Sequence, residues 1–197
     1  MNIFSIKKHE DKGFALLLAI IISSVVLAIG VSLLHLSVSQ INLASNARES
    51  EIAFQAAHAG TDCLWYWRYE PTKVTGFTKA AASDVAPALT CFQNAGINIQ
   101  HTQVAQTGGI ADEFDYTFNW GSGDRCSIVS MYIMRAGSLG VMTWDLSAVN
   151  EGIGTDGIKS CDADGLCTII VSRGYNRKCS DVGSSIFTIQ RELTVEF

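Results

Sequence analysis

The chain is short of charge, and shortest near its start. Lys, Arg, Asp and Glu make up 17% of its 197 residues, and none falls between Lys12 and Arg48. A helix that lies on a soluble domain usually carries a charged face, and this stretch has none to offer. Basic residues are also scarce: the one local cluster is Lys7, Lys8 and Lys12, so no surface for nucleic acid is indicated. Catalytic signatures are missing. There is no Gly-x-Ser-x-Gly, no His-Glu-x-x-His and no phosphate-cradling Gly loop. The four histidines, His9, His35, His58 and His101, do not pair at ligand spacing, and no Cys-x-x-Cys is present. The chain reads as non-enzymatic, with no cofactor.

What fills the uncharged stretch is a long apolar run. Residues 14–36, FALLLAIIISSVVLAIGVSLLHL, span about 34 Å as a helix, enough for a bilayer core. His35 falls at the end of this span, at headgroup level. Behind it, residues 37–69 continue the helical signal. Positions 43, 47, 50, 54, 57, 61 and 64 (Leu, Ala, Ser, Phe, Ala, Thr, Leu) form one apolar-to-small stripe for docking on the rest of the chain, and Pro71 marks the helix end. The run is longer than an ordinary secretory h-region, although a Ser-Val-Ser or Leu-Ala-Ser cleavage site at 37–45 stays open, as does an uncleaved single-pass anchor.

The six cysteines, Cys63, Cys91, Cys126, Cys161, Cys167 and Cys179, all lie beyond the apolar run. An even number on the exported side reads as disulfides, with fifteen complete pairings possible. Proximity pairs Cys161 with Cys167 around a turn at Asp164-Gly165. Cys126 with Cys179 and Cys63 with Cys91 are the other expected bridges, among pairings that spacing leaves open. Between Cys161 and Cys167, Asp162-Ala163-Asp164-Gly165 resembles part of a calcium loop, but lacks its later bidentate Glu. A polar turn is the plainer reading.

Residues 70–197 read as one head. Residues 70–112 have weak periodicity and are expected to be irregular, with a short helix near 79–93. Glu113–Trp120 alternates aromatic and polar residues, as a half-buried strand does. Cys126–Arg135 is apolar on both faces, Val141–Trp144 is a short strand, and 145–166 is a Gly- and Asp-rich loop. Cys167–Val171 and 187–197 are further strands, with Arg191 on the apolar face of the last, its stem snorkelling the charge to water. Trp65, Tyr66, Trp67 and Tyr69 end the helix, where packing is favoured over an adhesive surface. The expected class is α+β, a long helix on an antiparallel sheet of four or five strands.

Two segments carry a family resemblance. KGFALLLAIII, from Lys12 to Ile22, is similar to the start of a class III prepilin signal. ASNARESEIAFQAAHAG, residues 44–60, resembles the helix of PilX-type minor pilins and minor pseudopilins through Asn46, Arg48, Ala53, Phe54, Gln55, Ala56 and Ala57. The resemblance implies a leader over 1–13, a transmembrane or filament-core half over 14–36, an amphipathic half over 37–69, and a pilin-like lollipop fold. It implies that a prepilin peptidase cuts after Gly13 and methylates Phe14. The implied partners are other pilin or pseudopilin subunits, an inner-membrane assembly platform and the lipid bilayer. The implied location is the bacterial cytoplasmic membrane, single-pass with the head exported, then the cell surface. Loss of the leader removes three lysines and two acidic residues, shifting the formal charge from −5 to about −6. The chain departs from the pattern at one place. The fifth mature residue, Glu in most major pilins, is Leu18 here. That Glu neutralises a neighbour's amino terminus in an apolar core, so its loss points to a minor, tip-proximal subunit.

Overall fold

The computed structural model describes residues 12–69, 87–138, 140–146 and 157–197. They form one long helix and antiparallel β-structure, an α+β chain. Helix α1 runs from Lys12 to Tyr69, 58 residues or about 87 Å. It contains no proline, and the strong helix formers Leu and Ala are its commonest residues. The chain divides into two units, Met1–Ala47 and Arg48–Phe197.

In the first unit, every described side chain from Phe14 to Ala47 is exposed. Three serine hydroxyls of this helix are satisfied by its own backbone. Ser23, Ser24 and Ser37 donate their hydroxyls to the carbonyls of Ile20, Ile21 and Leu33 at 3.0, 2.8 and 2.9 Å. Among the described residues, this helix is the one long and apolar enough to cross a membrane.

The second unit is built on a five-stranded antiparallel sheet in the order β3-β4-β5-β8-β9. Its strands are β3 (Ile97–Gln106), β4 (Gly109–Trp120), β5 (Arg125–Ala136), β8 (Leu166–Tyr175) and β9 (Gln190–Glu196). Residues 48–69 of α1 cover one face, where Cys63 and Leu64 meet Phe114, Tyr116, Phe118, Val129, Met131, Ile133 and Ile170. The other face is capped by a hairpin of β6 (Met142–Asp145) and β7 (Ile158–Cys161), with Met142, Trp144 and Leu146 on Tyr132, Met134, Ile169 and Val171. That double coverage is why β5, at the centre, is apolar on both faces.

Several expectations are corrected. Residues 97–112 are not irregular: β3 and β4 pair through a two-residue turn at Thr107-Gly108, with Gly108 at φ +92°. The strand was hidden because two of the side chains it turns toward the core side, His101 and Gln103, are polar. Of the short helix expected near 79–93, residues 79–86 lie outside the described residues. The remainder is instead a small hairpin of β1 (Thr90–Cys91) and β2 (Asn94–Ala95), turned by Phe92 and Gln93 at positive φ. The expected loop 145–166 contains β7; residues 147–156 lie outside the described residues. Strand β8 continues to Tyr175, and β9 starts only at Gln190, leaving Phe187 69% exposed.

Candidate functional site

The expected processing junction sits at the very start of α1. Lys12 and Gly13 belong to its first turn, and residues 1–11 lie outside the described residues. Phe14 is 70% exposed and Leu18 45% exposed. Fully burying a side chain such as Leu or Ile gains about 1.5–3 kcal/mol, and this helix half leaves Leu, Ile and Val exposed on every face. A surface of this kind marks an interaction with lipid or with other protein.

The other half of α1 is seated by small residues. Of the expected stripe, Ala57, Thr61 and Leu64 are buried, and Ala53, Ala56, Gly60 and Cys63 join them, while Phe54 is 42% exposed. The reason is steric. A Cβ on Gly174 would lie 2.1 Å from both the Ala53 carbonyl oxygen and the Ala57 nitrogen, so helix and strand backbones touch there. A Cβ on Gly60 would lie 2.5 Å from Ser172 Oγ and 2.7 Å from Val129 Cγ2. Phe54 cannot enter such a contact and turns outward. Ser127 donates its hydroxyl to the Ala56 carbonyl at 2.6 Å. Side chains pin the rims. Asn176 donates to Glu49 at 2.9 Å, Arg191 to the Ser50 hydroxyl at 2.8 Å, Arg68 to the Thr168 hydroxyl at 3.0 Å and Trp67 to the Thr90 carbonyl at 3.1 Å. Arg191 thus stands on the helix side with its residue exposed. Burial lowers the Arg68 pKa. The aromatic run divides: Trp67 packs on the core, while Trp65, Tyr66 and Tyr69 stay about half exposed, with the Trp65 and Tyr69 rings against Phe197.

All six cysteines are joined. Cys63 on α1 bonds Cys91 on β1; Cys126 at the head of β5 bonds Cys179 in a short 3-10 turn, Cys179–Asp181; Cys161 bonds Cys167 across the β7–β8 turn. Asp162 and Asp164 are exposed in that last turn, with the Gly165 amide donating to the Asp162 carbonyl at 2.8 Å and Asp164 at φ +57°. Among the described residues, no group of three or more His, Cys, Asp or Glu is placed to hold a metal ion.

One cluster escaped the sequence reading. Asp112 on β4 accepts from His101 at 3.1 Å, from Gln103 at 2.7 Å and from Arg135 at 2.5 Å, while the His101 ring stacks on Phe114 at 4.5 Å. The side chains of His101 and Asp112 are 6% and 8% exposed. Three donors satisfy a carboxylate that burial would otherwise penalise. They clip strand β3, at the edge, to β4 and β5. The alternation of β4 held the signal: Asp112 lies two residues before Phe114, on its inward face. Other ionisable groups respond to their surroundings. Burial pushes the Tyr116 hydroxyl far up; it donates to the Pro87 carbonyl at 3.1 Å. Burial raises the Glu113 carboxyl and Asp115 adds to this, against a hydrogen bond with Tyr132. Tyr175 is raised by burial, with Glu192 adding and Arg173 opposing. Taken together, the geometry holds a helix and stabilises a head.

No protein-family model matches the chain, and searches of curated proteins and of solved structures find no match either.

Proposed function

We propose that the chain is a non-enzymatic minor subunit of a type IV pilus or related type II secretion-like filament, with a pilin-like fold. It is anchored in the membrane by residues 14–36 before assembly, and its head is exported. The observation that carries this reading is a single unbroken helix with two opposite halves. One half is apolar and exposed on every face; the other is seated on a disulfide-bonded sheet. Lipid covers the first half before assembly, and the helices of neighbouring subunits cover it afterwards. The prepilin-like junction at Gly13-Phe14 supports release from the leader. Leu18 supports a minor, tip-proximal place, because stacking on its own copies would leave amino termini unpaired in an apolar core. Mass spectrometry of the chain from native membranes or sheared filaments tests this. A mature start at Phe14 with a methylated amine is expected, at low stoichiometry in filaments. A start near residues 38–46 would mean an ordinary signal peptide. Leu18 also suits a second reading, a single-pass anchored binding protein that never joins a filament; an uncleaved chain absent from filaments would favour it.

A further inference from the structure

The two ends of strand β8 differ in charge and in what they display. Its first residue follows the turn of Asp162 and Asp164, both exposed, with no basic residue between Cys161 and Cys167. Its last residue leads into the segment 176–189, where Arg177 and Lys178 stand exposed against one acid, Asp181. That segment is held at its root. Asn176, 8% exposed, donates to the Phe187 carbonyl at 3.2 Å and accepts from the Ile189 amide at 2.8 Å, while Cys179 is bonded to Cys126. Its tip carries Ile186 at 91% exposure, the highest of the large apolar residues described, with Phe187 beside it. Large apolar side chains held out next to cations are the composition that protein surfaces use at a lipid interface.

The same segment lies where α1 enters the head. The Asn176 side chain also donates to Glu49 at 2.9 Å, and Arg191, one residue into β9, donates to Ser50 at 2.8 Å. Arg48, itself exposed, is the first charged residue after Lys12. Whatever the angle at which the uncharged helix leaves, its point of departure is therefore beside this loop. Residues 13–47 make about 52 Å of helix, against about 40–45 Å for a bilayer with its headgroups. Val38, Ile41 and Leu43, each more than half exposed, continue the apolar surface past residue 36, and tilt takes up such excess length.

We propose that segment 176–189 is a lipid-contact element that seats the head on the bilayer surface before assembly, with Ile186 and Phe187 in the interface and Arg48, Arg177 and Lys178 on the phosphates of anionic lipids. The tether selects this occupant: the chain's own apolar helix holds the loop within reach of a membrane at high effective concentration. Charge agrees with it. An anionic surface attracts the end of β8 that carries Arg177 and Lys178 and repels the end that carries Asp162 and Asp164, so a chain that is acidic overall is still seated by one end. The proposal rests on the reading of residues 14–36 as a membrane span, and it holds whether or not the chain later enters a filament.

The test uses the full chain reconstituted in phosphatidylcholine–phosphatidylglycerol vesicles doped with a photoreactive lipid. Its diazirine sits either in the acyl chain or beside the headgroup, and lipid adducts are mapped by mass spectrometry. The acyl-chain probe is expected on residues 14–36 and the headgroup probe on 176–189, with none on 161–167. Ile186→Ser with Phe187→Ser should remove the loop adducts while keeping the thermal melt of the head. Arg177→Gln with Lys178→Gln should lower them severalfold, since each cation near an anionic surface is worth about fivefold in binding. For the unaltered protein, vesicles of phosphatidylcholine alone should lower them likewise, which gives a readout independent of how the variants fold. Adducts on 14–36 with none on the loop would overturn the proposal and leave the membrane span standing; adducts on neither would overturn both. Loop adducts indifferent to lipid charge and to Ile186 and Phe187 would also overturn it. So would amine-reactive cross-links from Lys178 to a second copy in place of lipid adducts, which would make the surface a subunit contact.

Discussion

The two halves of α1 share a backbone and little else. From Phe14 to Ala47 every side chain is exposed, and most of those up to Leu36 are apolar; from Arg48 to Tyr69 a stripe of small residues, Ala53, Ala56, Ala57 and Gly60, is buried ahead of Thr61, Cys63 and Leu64. The first half is adhesive without being shaped, because an all-round Leu and Ile surface fits any apolar medium. The Ala and Gly part of the second half gains little from area and owes its fixed place to shape: backbone meets backbone at Gly174. Hydrophobicity decides what surrounds one half, and size decides where the other half sits.

The largest effect should come from blocking that seat. Gly174→Leu puts a side chain where the Ala53 and Ala57 backbones already lie, and these cannot step aside as a flexible side chain would. Overpacking costs about 1–3 kcal/mol where a core can relax, and more where it cannot. We expect a loss of about 3 kcal/mol or more, read by denaturant melts of the full chain in detergent. A near-wild-type melt would show that the seat is looser than its geometry.

The opposite substitution sharpens the contrast. Leu27→Asp, in the exposed half, should leave the melt of the head unchanged. It should cost about 2.5–3.5 kcal/mol of membrane insertion, read as loss of chain from the carbonate-resistant membrane fraction. If instead the head melts earlier and retention is untouched, the division of labour between the halves is wrong.

How much of this was legible in the sequence follows the same division. The apolar half announced itself through absent charge, and the α+β class followed from the alternation in β4 and the last strand. The seat is legible in part: the expected stripe contains Ala57, Thr61 and Leu64, which are buried, and Phe54, which is not, while the burial of Ala53 and Ala56 is visible only once Gly174 is known to lie beneath them. Strand β3 was missed for a related reason. Its side chains at 101 and 103 are polar and both bond Asp112 on the next strand, which buries that of His101 and leaves Gln103 exposed. Periodicity records hydrophobic contrast, and it is silent where the core is built from small or mutually satisfied polar groups.

A smaller effect is expected from the shortest covalent loop. Replacing both Cys161 and Cys167 with Ala releases a turn whose strands remain hydrogen-bonded to neighbours, and the loss should be at most about 2–3 kcal/mol. Thermal melts of the variant and of wild type, each with the other two disulfides intact, would measure it. A collapse of the whole head would mean that this turn organises the sheet and does not merely close it.

The smallest effect concerns the face of the sheet away from α1, where Glu113 sits half-buried. Its carboxyl lies above the ordinary value of 4.5, raised first by burial and then by Asp115, with the Tyr132 hydrogen bond opposing. A folded-state pKa raised above that of the unfolded chain means that the folded state holds the proton more tightly. The associated stability is therefore full below the unfolded-state value and is lost as pH rises through the folded-state value. Near neutral pH the ionised carboxylate is a mild burden. Glu113→Gln keeps the shape and removes the charge, so it should raise the melting temperature slightly at neutral pH. The gain should shrink as the pH falls below the ordinary carboxylate range, where wild-type Glu113 is itself neutral. Melts of both proteins across pH would check this. A gain that persists unchanged at low pH would assign the effect to packing, and a loss at neutral pH would show that the bond to Tyr132 outweighs burial.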